Sequence, residues 1–504
     1  MMARNTLLNI AGYGTPVLAA LIAVPLLIRG MGPDRFGVLT IIWLVIGYFS
    51  LFDLGLGNAT TKLVAEKLGA GREREVPALL RTAFMALLAW GLLGTGAVLL
   101  SASWLVSSVL RIPLWLQAES LRTFYLLAFA IPLVILTACF RGVLEAYHRF
   151  DLVNSVRIPL GLITFLGPLL VLRFTTDLFY VTTALVSIRA LTLIIHGLQV
   201  ERIVSRVPGD GPAASDIRSL LAYGGWISVS NIVGPVLAYV DRFLIGSFVS
   251  VAAVTYYALP FEIATKLLVL AGGFVGVLFP AFSATVIQDR LRTAKICSRG
   301  MAFLFLAMFP AVLIVISLAH EGLSLWLGRE FADNSCRALQ WLTAGVFINS
   351  FAQIASALVQ SAGRPDLTAK AHLAELPLYL VCLWLLVKMY GVPGAAFAWF
   401  LRVMLDGALL FLFAIRLVPP MTAQVRNVFF SVCATFIAAL AIAQMHSLPL
   451  KIVFLAAALS LIGISAWKRL VQGEDKAGLR EAFRELVQGR HEKNAFFGEQ
   501  GRKG

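Results

Sequence analysis

Two arginines stand where arginine is costly. Arg189 lies inside Ala184–Leu191 and Arg402 inside Phe397–Leu405, each within a long apolar segment. A guanidinium at the centre of a bilayer costs about 2.5–3.5 kcal/mol on insertion scales. Accepting that cost twice points to a polar interior between helices. The chemistry would be anion binding, because the planar guanidinium fork can take two phosphate oxygens at once.

The other ionisable residues inside apolar segments are few. Arg402 and Asp406 are spaced i, i+4, as are Glu262 and Lys266. Asp241 and Arg242 are adjacent, His372 and Glu375 lie near one end of a segment, and Asp53 near the end of another. Arg189 has no acidic residue within a turn. Two readings of the i, i+4 pairs stay open. One is local neutralisation, which lowers the cost of burying each member. The other is a polar cavity in which Arg189, Arg402 and Lys266 hold an anionic cargo while Asp241, Glu262 or Asp406 takes up a driving ion.

These side chains need helices around them. The 504 residues are 59% hydrophobic and 14% charged, and apolar runs of about 20 residues recur throughout. The fold class expected is an all-α polytopic membrane protein, and the run lengths exclude a transmembrane β-barrel. Fourteen helices are expected, at 9–28, 36–56, 80–102, 122–140, 158–173, 177–200, 221–247, 252–284, 301–319, 338–361, 371–390, 393–416, 427–445 and 449–467. The first reads as a membrane helix and not as a cleaved signal. Pro16 and Pro25 in helix 1, and Asn231, Gly234 and Pro235 in helix 7, are expected to interrupt those helices as kinks or hinges. Gly272, Gly273 and Gly276 are expected to mark a bend or a close helix contact.

Basic residues orient the chain. About twenty fall in the loops on the N-terminal side and about nine in the opposite loops, which places both termini in the cytoplasm. The net charge of +15 is thus a topological signal, and no nucleic-acid partner is expected. The five cysteines form no CxxC and read as small hydrophobes. No metal motif, Walker A loop or G-x-S-x-G elbow is present, so no enzyme activity and no cofactor is expected.

The chain also repeats. Arg149-Phe150-Asp151-Leu152 matches Arg364-Pro365-Asp366-Leu367 at an offset of about 215, and Ser187-Ile188-Arg189-Ala190 matches Phe400-Leu401-Arg402-Val403 at about 213. Two parallel six-helix lobes follow, at 1–200 and 221–417, joined by a cytoplasmic linker at 201–220. Helices 13 and 14 occupy 418–467 outside the repeat, and 468–504 is a basic cytoplasmic tail with an amphipathic stretch.

Met31-Gly32-Pro33-Asp34-Arg35-Phe36-Gly37-Val38, followed by Gly47 to Ala59, resembles the opening of polysaccharide transporters of the Wzx-type oligosaccharide flippase family. Asp241-Arg242-Phe243-Leu244-Ile245-Gly246, Tyr256-Tyr257 and Phe279-Pro280-Ala281 resemble the start of that family's second lobe. The resemblance covers about 5–420. It implies the multidrug/oligosaccharidyl-lipid/polysaccharide exporter fold, with two lobes facing a central cavity in a bacterial inner membrane. It implies a cargo of polyprenyl-diphosphate-linked oligosaccharide, moved to the periplasmic leaflet by alternating access for O-antigen, capsule or exopolysaccharide synthesis. Other polysaccharide assembly proteins would be partners. By the same analogy, Arg29 and Arg242 join the cargo-facing cations. A cation-coupled multidrug exporter is the first rival reading, and would favour acidic cavity residues. A membrane-embedded glycan polymerase or ligase is the second, and would carry a large external loop.

Overall fold

The computed structural model describes residues 2–49, 56–204, 237, 239–445 and 447–470. Among them the secondary structure is helical, with no strand. Among the described residues, ten helices are long and apolar enough to cross a membrane. The interlobe linker, most of helix 7 with Asn231, Gly234 and Pro235, Asp53, and most of the basic tail lie outside the described residues.

Two of the expected pairs of spans run as single long helices broken at one glycine. Met2–Phe49 breaks at Gly32 (φ 79°, ψ 166°), and Pro365–Leu417 breaks at Gly391 (φ 62°, ψ −131°). Only glycine adopts these backbone angles without strain. Pro33 follows Gly32 directly, and Pro393 lies two residues after Gly391. By contrast, Pro16 and Pro25 lie inside continuous helix without a break in the helical backbone angles, and the break at Gly32 falls between the first two expected spans. The arms of Pro365–Leu417 fold back on one another. His372 and Asp406 are 34 residues apart, about 51 Å along a straight helix, yet their side chains meet at 3.3 Å.

The short fifth expected helix, 158–173, proves to be Phe150–Leu172. The expected span 252–284 is two helices, Val251–Lys266 and Leu268–Thr285. They join at Leu267, which keeps helical angles (φ −64°, ψ −24°), and together make one candidate span of 35 residues. The glycine run makes no close helix contact among the described residues, since a Cβ on Gly272, Gly273 or Gly276 would meet nothing within 4 Å.

The chain divides into two compact units, one comprising residues 1–260, 326–338 and 376–398, the other 261–325, 339–375 and 399–504. Within the first, Val76–Trp104 packs closely on Ala130–Ala146, where a Cβ on Gly91 would lie 2.9 Å from the Pro132 Cα. Pro132 has no N–H for the Ala128 carbonyl. The Thr95 hydroxyl supplies the missing donor at 3.0 Å. Trp326 does the same for helix 1, since its indole N–H reaches the Leu21 carbonyl, which Pro25 leaves free, at 2.9 Å. Within the second unit, Leu448–Arg469 is tied to Ala319–Leu327 by a buried Lys451 that reaches Glu321 at 2.7 Å.

One local geometry occurs twice. At Arg149 the Nε and Nη2 groups donate to both Asp151 oxygens at 3.1 and 3.0 Å. At Arg364 the same two groups reach Asp366 at 3.0 and 3.2 Å. Each arginine is the N-cap of its helix, and the preceding residue has positive φ, 56° at His148 and 75° at Gly363. The paired carboxylates push both guanidinium pKa values further up. The residue match at offset 215 is therefore also a match of backbone and side-chain geometry.

Candidate functional site

Arg189 and Arg402 occupy equivalent places. Each lies 15 residues before the end of its helix, Leu178–Val204 and Pro365–Leu417, or about 22 Å along the axis. Their surroundings differ. Arg189 is half-buried and makes no hydrogen bond or ion pair among the described residues, and only its burial acts on its charge. Arg402 faces a carboxylate from the other arm of its own helix, Glu375, with Nε 3.7 Å from Oε2.

Glu375 and Arg402 belong to a larger cluster. His372 Nε2 lies 3.3 Å from Asp406 Oδ1, and the Asp406 carboxyl is within hydrogen-bonding reach of Glu375. Glu375 is 1% and Asp406 4% exposed, whereas the His372 side chain is 37% exposed. Neither Glu375 oxygen accepts a hydrogen bond from a described group. Arg402 and Asp406 thus form ion pairs across the arms, with Glu375 and His372, where spacing had pointed to an i, i+4 pair. Helix Arg329–Ser361 supports this arm pair through close packing of Gly345 on Trp399 and of Gly407 on Ile348.

Asp241 and Arg242 form a different kind of centre. Asp241 is fully buried. One of its oxygens accepts the Arg242 backbone N–H at 2.7 Å and the other accepts the Tyr257 hydroxyl. The Arg242 guanidinium lies over the Tyr239 ring at 4.7 Å. Here a buried carboxyl group has donors for both oxygens, which makes it a structural anchor.

Glu262 and Lys266 form the expected i, i+4 pair at 3.3 Å, with both side chains about half exposed. Arg29 is exposed. A further pair went unnoticed in the sequence. Arg35 binds Glu119 through Nε and Nη2 at 3.0 and 2.9 Å, beneath a cation–π contact with Trp115 at 4.9 Å. Glu119 also accepts the Leu178 N–H at 2.8 Å and so holds the start of the Arg189 helix.

The sequence did contain a signal for the four-residue cluster. His372 and Glu375 are i, i+3, Arg402 and Asp406 are i, i+4, and the two cross-arm pairs share a midpoint near residue 389, close to Gly391. An antiparallel hairpin hinged there must bring them together. Among the described residues no group of histidine, cysteine and carboxylate side chains could hold a metal ion.

Three comparisons place this architecture. The chain is 29% identical over 408 residues to a protein of Shigella flexneri named "Putative O-antigen transporter", covering 81% of this chain and 96% of that protein. Its fold is similar to a solved inward closed conformation of the lipid II flippase MurJ, with a TM-score of 0.69 at 12% identity, over 93% of this chain and all of the other. It is also similar to an inward-facing multidrug resistance MATE family transporter of the MOP superfamily, with a TM-score of 0.64 at 14% identity, over 82% of this chain and 99% of the other. The fold is thus common to proteins named for lipid-linked and for drug cargo, and the choice between them falls to sequence. Residues 2–286, more than half of the chain, match the polysaccharide biosynthesis protein family, and the chain belongs to that family.

Proposed function

We propose that this multi-pass membrane protein is a flippase that moves a polyprenyl-diphosphate-linked oligosaccharide between leaflets by alternating access, for synthesis of a cell-surface polysaccharide. The observation that carries the reading is Arg189, a guanidinium inside an apolar helix with no partner among the described residues. A diphosphate supplies the missing partner, the sugars suit a polar path, and the lipid tail can stay in the bilayer. The 29% identity to a protein named as an O-antigen transporter supports the same class of cargo.

Arg189 is the leading cargo cation. Arg29 and Lys266, both with exposed side chains, are secondary contacts. Arg242, held against Tyr239 beside a fully satisfied Asp241, positions its helix. The chain works from a bacterial inner membrane with both termini in the cytoplasm, as its basic loops direct. Two six-helix lobes at 1–200 and 221–417 carry the cycle, with 418–467 as an addition. Other polysaccharide assembly proteins deliver and receive the cargo.

The test is flipping of a lipid-linked oligosaccharide in proteoliposomes that contain the full chain. Wild type is expected to flip it, and Arg189→Ala to lose flipping with insertion and thermal stability unchanged. Wild-type failure to flip this cargo, with export of an organic cation instead, would replace the reading by that of a drug exporter.

A further inference from the structure

The charged groups of the first arm pair and those of the second call for different partners. Arg189 lacks an anion. Glu375 lacks a donor. It is 1% exposed, and no described N–H or O–H group reaches either of its oxygens. Its neighbours are a second buried carboxyl group, Asp406, the Arg402 guanidinium at 3.7 Å, and His372 on the far side of Asp406 at 3.3 Å. No other charged side chain acts on Glu375. The facing helix Arg329–Ser361 presents Ile348 and Ala352 to Gly407, one residue beyond Asp406.

Two carboxyl groups that meet away from water repel if both are ionised, and they attract if one carries a proton. A proton on either oxygen pair turns two acceptors into a donor and an acceptor. It supplies the missing hydrogen bond and leaves one negative charge to face Arg402. A metal cation fits less well, because a guanidinium and an imidazole occupy the flanks of the carboxyl pair. The half-exposed His372, whose Nε2 lies 3.3 Å from Asp406 and which reaches the edge of the cluster, provides a route by which the proton enters and leaves.

We propose that His372, Glu375, Arg402 and Asp406 form a proton-binding site in which Glu375 and Asp406 share one exchangeable proton, and that its loading and release drive the transport cycle. The event is one O–H bond formed at a carboxyl oxygen and later broken, with the proton passing through His372 to water. No other bond changes and no co-reactant is needed. The second clause of the proposal rests on the flippase reading, and the first does not.

Infrared difference spectra of the full chain in lipid nanodiscs, recorded between acidic and alkaline pH without cargo, test the first clause. The expected result is a protonated-carboxyl C=O band that shifts in heavy water and is lost in Glu375→Gln and in Asp406→Asn. In His372→Asn the band survives and titrates at a different pH. A band unchanged in both carboxyl variants, or the lack of any titrating band in wild type, overturns the site. Flipping under an imposed pH gradient tests the second clause. Wild type is expected to flip faster with the gradient than without it, and Glu375→Gln to lose that increment. A sodium gradient that stimulates in its place overturns the choice of ion. A wild type that does not flip in any gradient removes the flippase reading, while the infrared band still decides whether the proton site exists.

Discussion

The arm pair at 150–204 and the arm pair at 365–417 have the same frame and opposite charge logic. Both begin with an arginine N-cap clamped on the aspartate two residues later, and both place an arginine 15 residues before their end. Yet the positions that match Glu375 and Asp406, at offsets of 215 and 213, are Leu160 and Leu193, and the one that matches His372 is Arg157. The first half therefore keeps a bare guanidinium where the second surrounds its own with two carboxyl groups and an imidazole. An unpaired cation is costly in an apolar span unless a ligand completes it, whereas a cation set among titratable acids is completed by a proton. On the proposed reading the two halves share a frame and differ at three positions, so that one binds cargo and the other a proton.

The comparison can be broken at its centre. Arg189→Ala should abolish flipping, and Arg189→Lys should restore only part of it, because an ammonium lacks the two-oxygen fork. Transport counts by fluorescence quenching, normalised to inserted protein, would check both. Next in size is the exchange that makes the first half resemble the second. Leu160→Glu gives Arg189 a carboxylate where Arg402 has Glu375, and should lower flipping at least tenfold by neutralising the cargo cation. A Leu160→Glu variant with wild-type transport would show that Arg189 does not meet the cargo.

Glu375→Gln should leave slow, pH-independent flipping, since it removes the driving ion and not the cargo site. The smallest effects should come from the hinges that both halves need. Gly391→Ala and Gly32→Ala place a Cβ at positive φ and should each destabilise the folded protein by about 1–3 kcal/mol, seen as a lowered thermal midpoint in detergent. Their effect on cargo selectivity should be nil.

Much of this was legible from the chain. Apolar length gave the membrane helices, because a bilayer leaves the backbone little choice. The repeat was legible because Arg-x-Asp turns and the two arginines sit in register. Glu262 and Lys266 paired as their spacing required, since both are on an exposed helix face. The partners of Arg402 and Asp406 were not read correctly, because spacing along one helix says nothing about a second arm folded against it at Gly391. Glu119 escaped notice for the same reason, as its partner Arg35 is 84 residues away. The glycine run at 272–276 misled because small residues signal close packing only when a neighbour is there to approach.

The most direct test of the division of labour is one flipping experiment with wild type, Arg189→Ala and Glu375→Gln, each with and without a pH gradient. The account predicts that wild type flips and responds to the gradient, that Glu375→Gln flips without responding, and that Arg189→Ala does neither. Equal behaviour of the two variants, or a gradient response retained in Glu375→Gln, would contradict it.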